Sequence, residues 1–97
     1  MGEPLDLHEL NDRIDRLIAH PLGRVLVPLD QYYWLRHVIE KSVAAGEARL
    51  LIADLDRCRV RQEDRMSIPG ELYQDMLEAV REAVYGVPGD PRHTYRV

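Results

Sequence analysis

Four side chains in this sequence could act as nucleophiles: Cys58, Ser42, Ser67 and Thr94. Cys58 lies between Arg57 and Arg59, cations of the kind that activate a thiolate. On a helix, however, residues one position apart point away from each other. Its neighbours would then be Asp54, Leu55, Arg61 and Gln62. A small buried hydrophobe is the expected role for it. The histidines, His8, His20, His37 and His93, are scattered. There is no His-Glu-x-x-His and no paired cysteine, so no metal site is expected. Asp54 and Asp56 would stand about 200° apart on a helix, which is wrong for one shared ion. His8 and Asp12, four residues apart, would hold at most a weak surface ion. The glycines fit neither the dinucleotide nor the P-loop spacing. No cofactor is expected, and no catalytic constellation is complete.

Two patterns point to binding instead. Arg57, Arg61 and Arg65 recur every four residues and would form one basic stripe on a helix. Asp54, Glu63 and Asp64 are near enough to neutralise part of it. Tyr32, Tyr33 and Trp34 are consecutive. Each helical step turns about 100°, so they cannot all face one core. At least one should be exposed, and Tyr and Trp are enriched at interface hot spots. The candidate partner-binding residues are therefore Tyr32, Tyr33, Trp34, Arg57, Arg61 and Arg65.

The elements that position these residues follow from local signals. Asp6 and Glu9 form a capping-box pattern. Leu7, Leu10, Ile14, Leu17 and Ile18 then make one apolar stripe, and His20-Pro21 ends it. This predicts a helix over about 6–20. Gly23 to Pro28 is β-favouring, with a short strand or extended connector at 24–27. Pro28 suits only an edge strand. Asp30 is the next N-cap candidate. Helix-forming residues run from there to Arg65, interrupted only by Gly46. That glycine either caps one helix or sits inside a continuous one at a cost of about 1 kcal/mol. The in-phase stripe Trp34, Val38, Ala45, Ala48, Ile52 and Leu55 favours one long helix over about 30–65. Ser67-Ile68-Pro69-Gly70 is a break and a fresh N-cap. Leu72, Met76, Val80, Ala83 and Val84 predict a last helix over 69–85, with Gly86 as its cap. Pro88, Gly89 and Pro91 keep the tail 87–97 extended. Residues 93–97 are β-permissive and could pair with Val25–Val27. The sequence reads as having no internal repeat and no low-complexity segment. The expected fold is all-α: one helical domain over 1–97, built around a long central helix.

Composition narrows the function classes. A 97-residue chain has a thin core, for which oligomerisation is a common remedy. Hydrophobic residues at 45% and charged residues at 31% fit a globular chain and not a disordered one. The net charge of −4 argues against a dedicated nucleic-acid binder. Residues 1–20 carry five acids against two arginines, and residues 67–87 carry four acids against one arginine. No signal peptide or membrane span is apparent, so a cytoplasmic protein with no membrane association is expected. The lone cysteine fits a reducing compartment. Arginine outnumbers lysine twelve to one, which resembles high-GC bacterial or phage coding.

Two resemblances can be named. Val25-Leu26-Val27-Pro28-Leu29-Asp30-Gln31-Tyr32, followed by Leu35, resembles the strand-to-helix step of Phd/YefM-type antitoxins. The resemblance implies a small DNA-binding regulator, although a plain amphipathic helix replaces that family's N-terminal part. The Tyr-x-x-Leu-Arg opening from Tyr32, the Ala/Arg/Asp-rich stretch after it and Tyr85-Gly86-Val87-Pro88 resemble small helical proteins of phages and actinobacteria. That resemblance implies an accessory or host-directed binding role. The functional expectation is a non-enzymatic interaction protein that binds a partner protein or itself as a homodimer. A phage- or mobile-element-encoded inhibitor of a host protein is one specific form. A nucleic-acid-binding regulator of antitoxin type is the alternative.

Overall fold

A computed structural model describes residues 5–43 and 45–86. Along the chain it contains α1 (Leu7–Ala19), β1 (Arg24–Pro28), α2 (Leu29–Ser42), α3 (Ala45–Cys58), β2 (Val60–Gln62), β3 (Arg65–Pro69) and α4 (Gly70–Tyr85). The fold is α+β, not all-α. The three strands form one antiparallel sheet in the order β1-β3-β2.

Local chemistry explains the ends of the chain well. The Asp6 carboxylate accepts the Glu9 N–H at 2.8 Å and starts α1. Leu10, Ile14 and Leu17 form its buried stripe. Gly86 ends α4 in the left-handed conformation, with φ of 69°. Among the described residues β1 is an edge strand, in keeping with Pro28. It pairs with β3. The tail proposed as its partner lies outside the described residues.

The long central helix does not exist. α2 stops at Val43, which is extended with ψ of 147°, and α3 begins at Ala45 with Gly46 inside its first turn. The physical reason is size. A straight helix over 30–65 would be about 54 Å long at 1.5 Å per residue. The longest dimension of the molecule is 34 Å. Leu35 and Ile39 of α2 and Leu51 and Leu55 of α3 belong to one core, and only a reversal between them allows that. The segment after Cys58 is not helical either. Met66 and Ile68 alternate with outward-facing residues and pack inward as strand residues. The N-caps of α2 and α4 are Pro28 and Pro69, not Asp30 and Ser67. Both prolines have nearly the same backbone, φ −54° and ψ 139° against φ −58° and ψ 141°.

That coincidence belongs to a larger one. β1 and β3 pair so that Leu26 faces Ser67, Arg24 faces Pro69 and Pro28 faces Arg65. Leu26 and Ser67 are 41 positions apart, and so are Arg24 and Arg65, and Pro28 and Pro69. The register therefore places an approximate two-fold axis between Leu26 and Ser67. The same offset relates buried residues throughout the core: Leu10 and Leu51, Ile14 and Leu55, Val27 and Ile68, Tyr32 and Tyr73, Leu35 and Met76, Ile39 and Val80. The chain is thus an internal repeat, α1-β1-α2 followed by α3-β3-α4, although few identities mark it in the sequence. Helix α1 packs against α4 of the other half, α2 also packs against α4, and α3 packs against both α2 and α4. Each half supplies apolar area that the other lacks, which answers the thin-core problem within one chain.

The repeat departs from symmetry in its connections. From α3 the chain reaches β3 through β2 and a two-residue turn, Glu63-Asp64. From α1 it reaches β1 through His20 to Gly23, which form no strand. Pro21 has no N–H to contribute to a ladder there.

Candidate functional site

The outer face of the sheet carries the most unusual surface chemistry. Paired residues share a face, so Leu26, Ser67 and Val60 form one row across the three strands. The inner face holds Val25, Val27, Met66 and Ile68 against the helices. An antiparallel sheet with one solvated face normally places polar residues there. Here Leu26 and Val60 are each 52% exposed. At strand spacing they stand about 10 Å apart. Leu22, just before β1, is similarly exposed.

Arg24 spans the gap between Leu26 and Val60. Its Nε donates to Ser67 Oγ at 2.9 Å, and its Nη2 donates to the Ser67 carbonyl at 2.9 Å and to the Cys58 carbonyl at 2.7 Å. Ser67 is buried as a result. The outer face is therefore an aliphatic, guanidinium, aliphatic strip. Arg65 and Gln62 continue it on the hairpin side, and both are exposed.

The six residues singled out from the sequence do not form one site. Tyr32 is fully buried in the core, at 0% exposure. Tyr33 is 48% exposed and meets the Tyr32 ring edge-on, with centroids 5.3 Å apart. Trp34 is half-buried against the core. Arg57, Arg61 and Arg65 make no stripe, because α3 ends at Cys58. Arg57 pairs with Asp54 within that helix. Arg61 sits on β2 and donates to the Glu63 carbonyl at 3.1 Å. Arg65 opens β3 on the outer face. The four-residue spacing was compatible with a helix, but the chain there is a hairpin.

Other polar side chains knit the layers. Arg36 grips Asp56 through two bonds, 2.6 and 3.1 Å, and also donates to Glu40 and to the Tyr32 hydroxyl. This fastens α2 to α3. The Arg36 guanidinium holds the Asp56 carboxyl below its usual range. Tyr73, the repeat mate of Tyr32, accepts from Arg13 at 3.3 Å and donates to Gln31 at 2.5 Å. Burial pushes its phenol upward, with Arg13 opposing in part. Arg81 of α4 donates to Asn11 of α1 at 2.7 Å. These are positioning contacts between helices.

Cys58 is half-buried at the end of α3, and its carbonyl is engaged by Arg24. Among the described residues no group of three or more His, Cys, Asp or Glu side chains could hold a metal ion. Among the same residues no helix is long and apolar enough to cross a membrane. The sequence signal for the outer face was present but faint: Leu26 and Val60 fall on outward strand positions only once the register is known. No family model, curated protein or solved structure matches this chain.

Proposed function

We propose that this protein is a non-catalytic protein-interaction module whose docking surface is the outer face of its sheet. One observation carries the reading: Leu26 and Val60, on outward strand positions, are half exposed on either side of the Arg24 guanidinium. Exposed aliphatic side chains on a polar-rimmed sheet face are characteristic of protein contact surfaces. An arginine held flat by three acceptors adds contact area at little further entropic cost. An inhibitor encoded by a phage or mobile element, occluding a host protein through this face, is the narrower form of the proposal.

The test is affinity capture from a candidate host lysate with the native protein and with Val60→Glu. Val60 pairs with β3 through its backbone, so the variant keeps the fold, which circular dichroism checks. A partner retained by the native protein and lost by Val60→Glu supports the reading. Equal capture by both, or none by either, overturns it.

A nucleic-acid role has one observation in its favour, the exposed Arg59, Arg61 and Arg65 around the β2–β3 hairpin. It is the weaker reading. Arg59 pairs with Asp56, Arg61 bonds its own turn, and the chain carries a charge of −4. A salt titration of duplex-DNA binding decides it, since phosphate contacts are strongest at low salt. No binding there removes it.

A further inference from the structure

The approximate two-fold axis makes a specific statement about the edges of the sheet. Backbone bonds continue the β1–β3 ladder at both ends, from Gly70 N–H to Gly23 C=O at 3.2 Å and from Leu29 N–H to Asp64 C=O at 3.1 Å. Bonded pairs alternate in an antiparallel ladder. Residues 23, 25, 27 and 29 therefore turn their backbone groups to β3, and Arg24, Leu26 and Pro28 turn theirs to the outer edge. On β3 the equivalent residues, Arg65, Ser67 and Pro69, face β2. The edge of β3 is thus occupied by a strand. The corresponding edge of β1 has no strand on it among the described residues.

The occupied edge also shows how a proline is accommodated. Continuing the β2–β3 register, Pro69 stands opposite Cys58 and has no N–H to offer its carbonyl. The Arg24 guanidinium supplies the missing donor at 2.7 Å. Arg24 is the cross-strand neighbour of Pro69, and Arg65 is the cross-strand neighbour of Pro28. Arg65 is exposed and has no ion-pair partner among the described residues.

We propose that this outer edge of β1 pairs with β1 of a second copy, antiparallel about a two-fold axis at Leu26. The sequence Arg24-Val25-Leu26-Val27-Pro28 is self-complementary in that register. Leu26 exchanges two backbone bonds with Leu26 of the other copy. Arg24 N–H reaches the Pro28 carbonyl of the other copy. Each Arg24 carbonyl then faces a proline, as the Cys58 carbonyl does within the chain. Arg65 takes the place of Arg24 and donates to it. The pairing joins two three-stranded sheets into one of six strands and brings the two exposed Leu26 side chains together. An edge with unpaired backbone groups is a natural template for such an addition. A contact this narrow lies at the lower end of stable interfaces, so the dimer is concentration-dependent. The proposal uses the strand edge and shares only Leu26 with the docking surface above, so Val60→Glu separates the two.

Sedimentation equilibrium of the full chain over micromolar to millimolar concentrations tests it. The native protein and Val60→Glu should dimerise alike. Leu26→Pro removes a backbone N–H that points away from β3, and should abolish the dimer while leaving the helical signal intact. Arg65→Ala should weaken it by at least about tenfold, since two charge-assisted bonds are lost per dimer. Amide exchange at Arg24 and Leu26 should slow as concentration rises. A protein that stays monomeric throughout overturns the proposal. A dimer unaffected by Arg65→Ala, with Arg24 and Leu26 amides exchanging at one rate at all concentrations, also overturns it, even if Leu26→Pro fails to fold.

Discussion

The Arg24 guanidinium on β1 reaches over β3 to the Cys58 carbonyl at the end of α3, 2.7 Å away. One side chain thereby closes the last turn of a helix, covers Ser67 and ties α3 and β3 of the second half to β1 of the first. Arg24→Ala leaves the Cys58 carbonyl without this donor and uncovers Ser67. The expected loss is about 1.5–3 kcal/mol, the range for hydrogen bonds to charged groups. Arg24→Lys should recover little of it, because an ammonium cannot reproduce the planar fork that engages Ser67 and Cys58 together. Urea unfolding of both variants checks this.

Two glycines should respond in opposite directions. A Cβ on Gly70 would overlap the carbonyl oxygen of Leu22, a backbone atom that cannot swing aside. Gly70→Ala should cost more than about 2 kcal/mol, in the class of overpacked sites. A Cβ on Gly46 would meet nothing within 4 Å. Gly46 lies in α3, so Gly46→Ala should stabilise by up to about 1 kcal/mol. Thermal melts of the pair give the signs directly.

Tyr32 and Tyr33 are adjacent in sequence and opposite in role. Tyr32→Ala empties the centre of the core and should cost about 3–5 kcal/mol, as for other large aromatic truncations. Tyr33→Ala removes an edge-on ring contact from a half-exposed side chain, with an expected cost of about 1 kcal/mol. Equal losses for the two would contradict the placement of Tyr32.

Acid stability should carry the mark of Asp56. Its carboxyl is held below its ordinary range in the folded state by Arg36. A depressed folded pKa contributes stability that is fully present above the unfolded value, about 4. That contribution is lost as pH falls through the lower, folded value. Asp56→Asn should flatten this part of the profile, measured as urea midpoints from about pH 6 to pH 2. The change should be modest and should shrink in high salt, because the pair lies partly in solvent.

How much of this was legible follows from the range of each signal. The helices α1 and α4 are written locally, in a capping aspartate, apolar stripes and a terminal glycine, whereas the residues of β1 left a short strand and an extended connector equally open. The reversal at Val43 is not, because residues on both sides are good helix formers and no proline or asparagine marks it. Arg57, Arg61 and Arg65 kept a helical spacing across a hairpin, so the period misled. The repeat was legible in principle, as Arg-x-x-Val-Pro and Arg-x-x-Ile-Pro, each followed four residues later by tyrosine. It is too sparse to stand out against one sequence alone.

The sequence by itself determined where α1 and α4 run and which residues are apolar enough to be buried. It also supplied the two prolines that start α2 and α4. Tertiary structure alone decided that the middle of the chain folds back on itself. Leu35 and Leu51 belong to one core, and a continuous helix would keep α2 and α3 from packing on each other. It decided too that Leu26 and Val60 share an outward face and that, among the described residues, β1 carries a strand on one side only. Both are matters of strand register, and for β1 that register depends on pairing with residues about 40 positions away and not on any local preference.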